Sequence, residues 1–70
     1  MIHYLLTAKL NERQEIWYGI DAAEDSKTVA RAEYLSQDAR SVRCCVQSLN
    51  AAQASLARFS DAVRNFKTEQ

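Results

Sequence analysis

One apolar stripe near the end of the sequence constrains the fold more than any other feature. Apolar residues recur there at steps of four, three, four and three, the spacing of one helical face: Ala52, Leu56, Phe59, Val63 and Phe66. The stripe predicts a helix over residues 51–67, and Asn50 followed by Gln53 predicts a capping box at its start. One helix cannot bury its own apolar face, so the residues before it must supply a sheet for it to cover.

The segments ahead of this helix alternate between apolar and polar residues, as strands with one buried face do. Residues 2–10 place Ile2, Tyr4, Leu6, Ala8 and Leu10 on one side. The polar residues 11–14 have the length of a hairpin loop, and residues 15–21 are rich in strand formers, which predicts a β-hairpin. Residues 40–47 also alternate, with Val42, Cys44 and Val46 on one side, and are predicted to form a strand.

Residues 27–35 fit either a strand or a helix, and this choice decides the architecture. A helix there gives a hairpin–helix–strand–helix order. A strand gives a four-stranded antiparallel β-meander with one C-terminal helix packed on one sheet face. Because the polar gaps at 11–14 and 36–39 have hairpin length, we predict the second arrangement, an α+β fold in which residues 1–70 form one domain.

Composition excludes several classes of protein. Nine basic and nine acidic side chains give a net charge of zero, which argues against binding nucleic acid by bulk electrostatics. The longest uninterrupted apolar run is three residues, so no membrane span is expected, and the first residues lack the pattern of a signal peptide. The adjacent Cys44 and Cys45 form no disulfide framework, and with His3 they are too few for a zinc site.

No constellation in the sequence points to catalysis. His3 is the only histidine and Gly19 the only glycine, so neither a nucleophile–base pair nor a phosphate-binding loop is expected. We therefore expect a binding protein, without catalytic residues, metal or cofactor. One alternative is a small sheet-based nucleic-acid-binding or regulatory protein that uses Arg31, Arg40 and Arg43, with tyrosines that stack on bases. Another is a protein that binds a protein partner through its free sheet face.

Short motifs in the first 43 residues resemble those of one family. Tyr4-Leu5, Thr7-Ala8 and Leu10-Asn11 match its pattern Y-L-x-T-A-x-L-N, and Tyr18 follows Asn11 by seven positions, as a family tyrosine does. Ser26-Lys27, Ala30-Arg31 and Glu33 match S-K-x-x-A-R-x-E, and Ser41-Val42 matches a pair in the family's fourth strand. In these motifs the chain resembles the first-described type I-F anti-CRISPR family, whose members are small phage-encoded inhibitors.

The resemblance implies both a fold and a function. It implies the four-stranded meander, and a protein that binds the backbone subunits of the type I-F CRISPR–Cas surveillance complex and keeps target DNA from pairing with the guide RNA. The implied contacts are Tyr4, Tyr18 and Glu33, with Arg31 beside them. The implied setting is the host bacterial cytoplasm, and we expect a free monomer with no direct nucleic-acid contact.

Alternation and resemblance disagree about which sheet face is exposed. Alternation groups Tyr4 and Tyr18 with aliphatic residues, which would place both tyrosines under the helix. The resemblance instead exposes them and turns the opposite set toward the helix: Leu5, Trp17, Ala30, Ala32 and Tyr34. On a regular meander Glu33 would share the tyrosine face. Because burying a lone carboxylate is costly, the charge favours the exposed arrangement.

Overall fold

The computed structural model describes the backbone of residues 1–69 and the side chains of residues 1–66. Three antiparallel strands form one sheet in the order β1-β2-β3, and two helices follow. The strands are β1 (Ile2–Leu10), β2 (Ile16–Glu24) and β3 (Lys27–Ser36), and the helices are α1 (Ala39–Ala51) and α2 (Leu56–Glu69). None of the helices in this described part of the chain is long and apolar enough to cross a membrane.

Polar side chains and positive φ angles make the two hairpin turns without glycine. In the first turn the Asn11 side chain accepts hydrogen bonds from the backbone N–H groups of Arg13 and Glu15. In the second turn Asp25 and Ser26 both have positive φ, 52° and 66°. A two-residue turn of this kind matches the right-handed twist of the strands it joins. β2 extends three residues beyond the predicted segment 15–21, to Glu24, so only these two residues separate it from β3.

The prediction of four strands and one helix is wrong, because residues 40–47 lie in α1. Val42, Val46 and Leu49 are the buried residues of this helix, and their steps of four and three belong to a helical face. The strand interpretation relied on Val42 and Val46, which fit both periods. Asp38 caps the helix by accepting a hydrogen bond from the Arg40 N–H at 3.1 Å. The Ser41-Val42 pair therefore lies in a helix and not in a fourth strand.

The C-terminal helix begins five residues later than predicted. Asn50 is not its N-cap but lies in the last turn of α1, and α2 starts at Leu56. Gln53, with φ 50°, stands in the turn between the helices, where the Ala54 N–H donates to the Leu49 carbonyl. The helical stripe is confirmed from Phe59 onward, since Phe59 is buried and Val63 and Phe66 pack against the core, whereas Leu56 at the start of the helix is exposed.

Both helices cover the same face of the sheet. The core lies between the two layers and consists of Tyr4, Ile20, Ala22, Leu35, Val42, Val46, Leu49, Ala54 and Phe59. α1 packs mainly on β1 and α2 on β3. The Asn50 side chain connects α1 to the edge strand β1 through two hydrogen bonds. It accepts one from the Tyr4 N–H at 2.8 Å and donates the other to the Tyr4 carbonyl at 2.9 Å. The opposite face, hereafter the open face, is covered by neither helix.

Candidate functional site

Tyr4 is a core residue. Its side chain is 1% exposed, and its ring lies 5.3 Å from that of Phe59. Its hydroxyl donates to the Ala54 carbonyl at 2.6 Å, with the Ser55 carbonyl at 3.2 Å. Burial raises the pKa of this hydroxyl above its ordinary value. Tyr4 therefore lies on the face that alternation predicts and not on the exposed face that the resemblance implies.

The structure separates the other implied contacts into two groups. Tyr18 is half-buried and packs against the core, on the same face as Tyr4. Arg31 is opposite Asp21 in the strand pairing, on the open face, and Glu33 follows two residues later on that face. Arg31 and Glu33 are thus brought together, whereas the expectation that Glu33 shares the tyrosine face is wrong.

The face assignments of the remaining residues are also partly reversed. Leu5 and Trp17, expected under the helix, lie on the open face, and Leu5 is 54% exposed. Tyr34 is 43% exposed and borders the same face. Ala30 and Ala32 do pack against the core, as expected. Of the five residues that the resemblance turns toward the helix, only these two alanines face it.

Gly19 allows β3 to pass close over the open face. The β2–β3 pairing is interrupted between Tyr18 and Ile20, and Tyr34 in β3 has φ 57°, an uncommon value for an aromatic residue. A Cβ on Gly19 would overlap the Ala32 carbonyl oxygen and lie 3.1 Å from the Glu33 Cα. Without that Cβ, the irregular part of β3 closes over the sheet and leaves a cavity beside it.

This cavity, hereafter the Gly19 cavity, has a volume of about 260 Å³. Its lining combines two aromatic rings, a threonine, small residues and four charged side chains: Thr7, Ala8, Lys9, Trp17, Gly19, Asp21, Arg31, Glu33 and Tyr34. Sequence reasoning named Arg31 and Glu33 among these and missed Lys9, Trp17 and Asp21 as site residues. The signal for them was available in the alternation of β1 and β2, which places all three opposite the core face.

The four charges of the cavity form two short ion pairs and one longer contact. Lys9 Nζ lies 3.0 Å from Glu33 Oε1, and Arg31 Nε lies 3.1 Å from Asp21 Oδ1. Arg31 Nη1 is also 4.0 Å from Glu33 Oε1. The carboxylates are the more shielded partners, with Asp21 15% and Glu33 31% exposed against 57% for Lys9 and 55% for Arg31. The cavity therefore has acidic groups inside and basic groups at its rim.

Trp17 contributes a buried donor that has no partner. Its Nε1 is shielded from solvent and makes no hydrogen bond within the described residues. A buried donor without a partner is uncommon, since it loses its hydrogen bonds to water on folding. Because the N–H is shielded, only other parts of the indole can meet a molecule that enters the cavity.

Other candidate groups lie apart from this cavity. Arg40 and Arg43 are exposed on α1, which covers the face opposite Arg31, so the three arginines do not share one side of the sheet. Cys44 is exposed and Cys45 half-buried, neither is in a disulfide, and burial raises the pKa of the Cys45 thiol. The side chains that the structure describes, those of residues 1–66, include no group of three or more His, Cys, Asp or Glu placed to hold a metal ion.

Comparisons with known proteins add no relative. No protein-family model, no curated protein and no solved structure matches this chain.

Proposed function

We propose that this chain is a non-catalytic inhibitor that binds a protein partner through the open face of its sheet. Following the resemblance of its strands, we propose that the partner is the backbone of a type I-F CRISPR–Cas surveillance complex in the cytoplasm of a bacterial host. Binding there would keep target DNA from pairing with the guide RNA.

The observation that carries protein binding is the composition of the open face. Neither helix covers it, yet it presents the exposed apolar Leu5, the aromatic Trp17 and the guanidinium of Arg31. Aromatic residues and arginine are the types most enriched where protein interfaces concentrate their binding energy. The ion pairs around them are partly exposed, and such pairs contribute at most about 1 kcal/mol each, so a partner's charges can compete for them.

The support for this particular target is the order and spacing of the matched motifs. All of those between Tyr4 and Glu33 fall in or beside the three strands, and Arg31 and Glu33 lie together at the cavity. The match at Ser41-Val42 lends no support, because it lies in α1. Arg31 and Glu33 stay predicted contacts and Trp17 joins them, whereas Tyr18, predicted as a contact from the resemblance, packs on the helix-covered face and is left out of the proposed open-face site. For the buried Tyr4 we propose a role in the fold.

A gel-shift assay tests the proposal. Purified type I-F surveillance complex is incubated with this protein and then with labelled target DNA, and loss of the shifted band is the expected result. Trp17→Ala and Glu33→Ala should restore the band, whereas Glu12→Ala, in the exposed hairpin loop, should inhibit like the unchanged protein.

Two outcomes would contradict the proposal. An undisturbed band with complexes from several hosts would show that the type I-F surveillance complex is not the partner. Full inhibition by both cavity variants would remove the open face as the binding surface. The isolated protein should cause no shift of DNA or RNA by itself, since a salt-dependent shift would favour the nucleic-acid-binding alternative.

A further inference from the structure

We infer that the Gly19 cavity is a receptor for one arginine side chain of the partner, held between the carboxylates of Asp21 and Glu33 beside the Trp17 ring. This inference rests on the proposed function, because it supplies the chemistry of the partner surface that the open face would bind. Its test below does not require the surveillance complex.

The size of the cavity suits a single protruding side chain. At about 260 Å³ it is smaller than the roughly 300–1,000 Å³ that sites for small organic ligands occupy. It also opens on the uncovered face of the sheet, where a partner surface would lie. A side chain that projects from such a surface can enter while the surrounding residues make contact with Leu5 and Lys9.

The distribution of charge selects a cation. Asp21 and Glu33 are the shielded groups, and each uses one oxygen, Oδ1 or Oε1, in its ion pair. Their second oxygens accept no hydrogen bond from any described residue. Lys9 and Arg31 are more than half exposed, so they can turn to solvent as a new cation takes their place. The inner acidic groups then decide which ligand is held.

The shape of the site favours a guanidinium over an ammonium. A guanidinium is planar, and its donors can bond two carboxylates at once, whereas an ammonium acts as a point charge. Its flat face can also lie against Trp17, the aromatic ring that attracts cations most strongly. Arginine satisfies both features of the cavity, and a lysine side chain satisfies only its charge.

Lys9 provides the test that separates a cation site from an anion site. In the folded protein its ammonium pairs with the Glu33 carboxylate, so a partner arginine must displace it from that carboxylate. Lys9→Met should therefore strengthen arginine binding, by up to about fivefold if the exposed pair has the usual strength. An anionic ligand would be held by Lys9 and Arg31, so the same change would weaken its binding.

The experiment uses the chain's single tryptophan, Trp17, as its reporter. The full chain is titrated with N-acetyl-arginine amide, N-acetyl-lysine amide and N-acetyl-glutamate amide, and Trp17 fluorescence and amide NMR shifts are followed. We expect a saturable response to the arginine amide, a weaker one to the lysine amide and none to the glutamate amide. Asp21→Asn combined with Glu33→Gln should abolish the response, and Glu12→Gln should leave it unchanged.

Each contrary result has a definite meaning. Stronger binding of the glutamate amide, weaker arginine binding by Lys9→Met, or no saturable response to the arginine amide would each overturn the receptor. If the double variant fails to fold, Lys9→Met decides the question alone. If the protein inhibits the surveillance complex but does not bind the arginine amide, the arginine receptor is disproved and the proposed target still stands. If it binds the arginine amide but does not inhibit the complex, the target is disproved and the receptor still stands.

Discussion

At the scale of single residues, Gly19 shapes the site because it has no side chain. The Ala32 carbonyl oxygen overlaps the position that a Cβ on Gly19 would take, and this oxygen belongs to the backbone of the adjacent strand. We predict that Gly19→Ala lowers the free energy of unfolding by about 1–3 kcal/mol, the usual cost of forcing extra volume into a packed position. Urea unfolding followed by Trp17 fluorescence would measure it.

Thr7 supplies the control for this prediction. Its Oγ1 also lies 3.1 Å from the position of the added Cβ, but a side chain can move where a backbone carbonyl cannot. The double variant Gly19→Ala with Thr7→Ala should therefore remain as unstable as the single one. Full recovery of stability in the double variant would show that the side chain, and not β3, sets the constraint.

Tyr4 links the sheet to the turn between the helices through one hydroxyl. Tyr4→Phe keeps the ring beside Phe59 but leaves the buried Ala54 carbonyl without its 2.6 Å donor. We expect a loss of roughly 1–3 kcal/mol in the free energy of unfolding. The matched control is Tyr34→Phe, whose hydroxyl is exposed and 3.5 Å from the Leu10 carbonyl, and which should change stability by less than about 0.5 kcal/mol. Equal losses in both variants would contradict this account.

At the scale of elements, the start of α1 should depend on pH through Asp38. The Ser41 hydroxyl, 2.7 Å from Oδ2, lowers the pKa of Asp38 below its ordinary 3.8; burial opposes this shift, and the backbone N–H of Arg40 adds to it. Because the folded pKa is lowered, this stabilisation is complete above the unfolded value and is lost as pH falls through the folded value.

Asp38→Asn tests this pH dependence directly. Asparagine also caps helices well but carries no titrating group, so stability at neutral pH should be nearly kept. Below about pH 4 the variant should lose stability less steeply than the unchanged protein. Urea midpoints measured between neutral and acidic pH would show the difference, and Ser41→Ala should reduce it in part. Identical pH profiles for Asp38→Asn and the unchanged protein would remove the proposed role of Asp38.

An element can be predicted from the sequence when enough of its apolar side chains repeat at a spacing that fits a strand or a helix but not both. β1 was predicted with its observed bounds, Ile2–Leu10, because five residues alternate without interruption. Residues 40–47 were misassigned because Val42 and Val46, four residues apart, fit a strand and a helix equally well. Leu49, the next residue of the helical face, lies beyond that segment and resolves the choice.

The candidate site was predictable only in part, for a different physical reason. Alternation alone places Lys9, Trp17 and Asp21 opposite the core face, and the structure agrees. The position of Glu33 depends instead on the register of β3 against β2 and on the irregularity at Tyr34. No local sequence pattern carries either property, since both arise where the backbones of β2 and β3 meet over Gly19.

At the scale of the whole molecule, the sheet depends on the helices for its core. Tyr4, Ile20, Ala22 and Leu35 are buried only because α1 and α2 cover them, and a small sheet without such cover is marginal in water. We therefore predict that residues 1–37 alone show no cooperative unfolding transition. Trp17 makes the measurement selective, because it lies on the open face, where neither helix touches the sheet. A sigmoidal urea transition of Trp17 fluorescence in the shortened chain would show that the strands fold alone, and that the helices serve another purpose than completing the core.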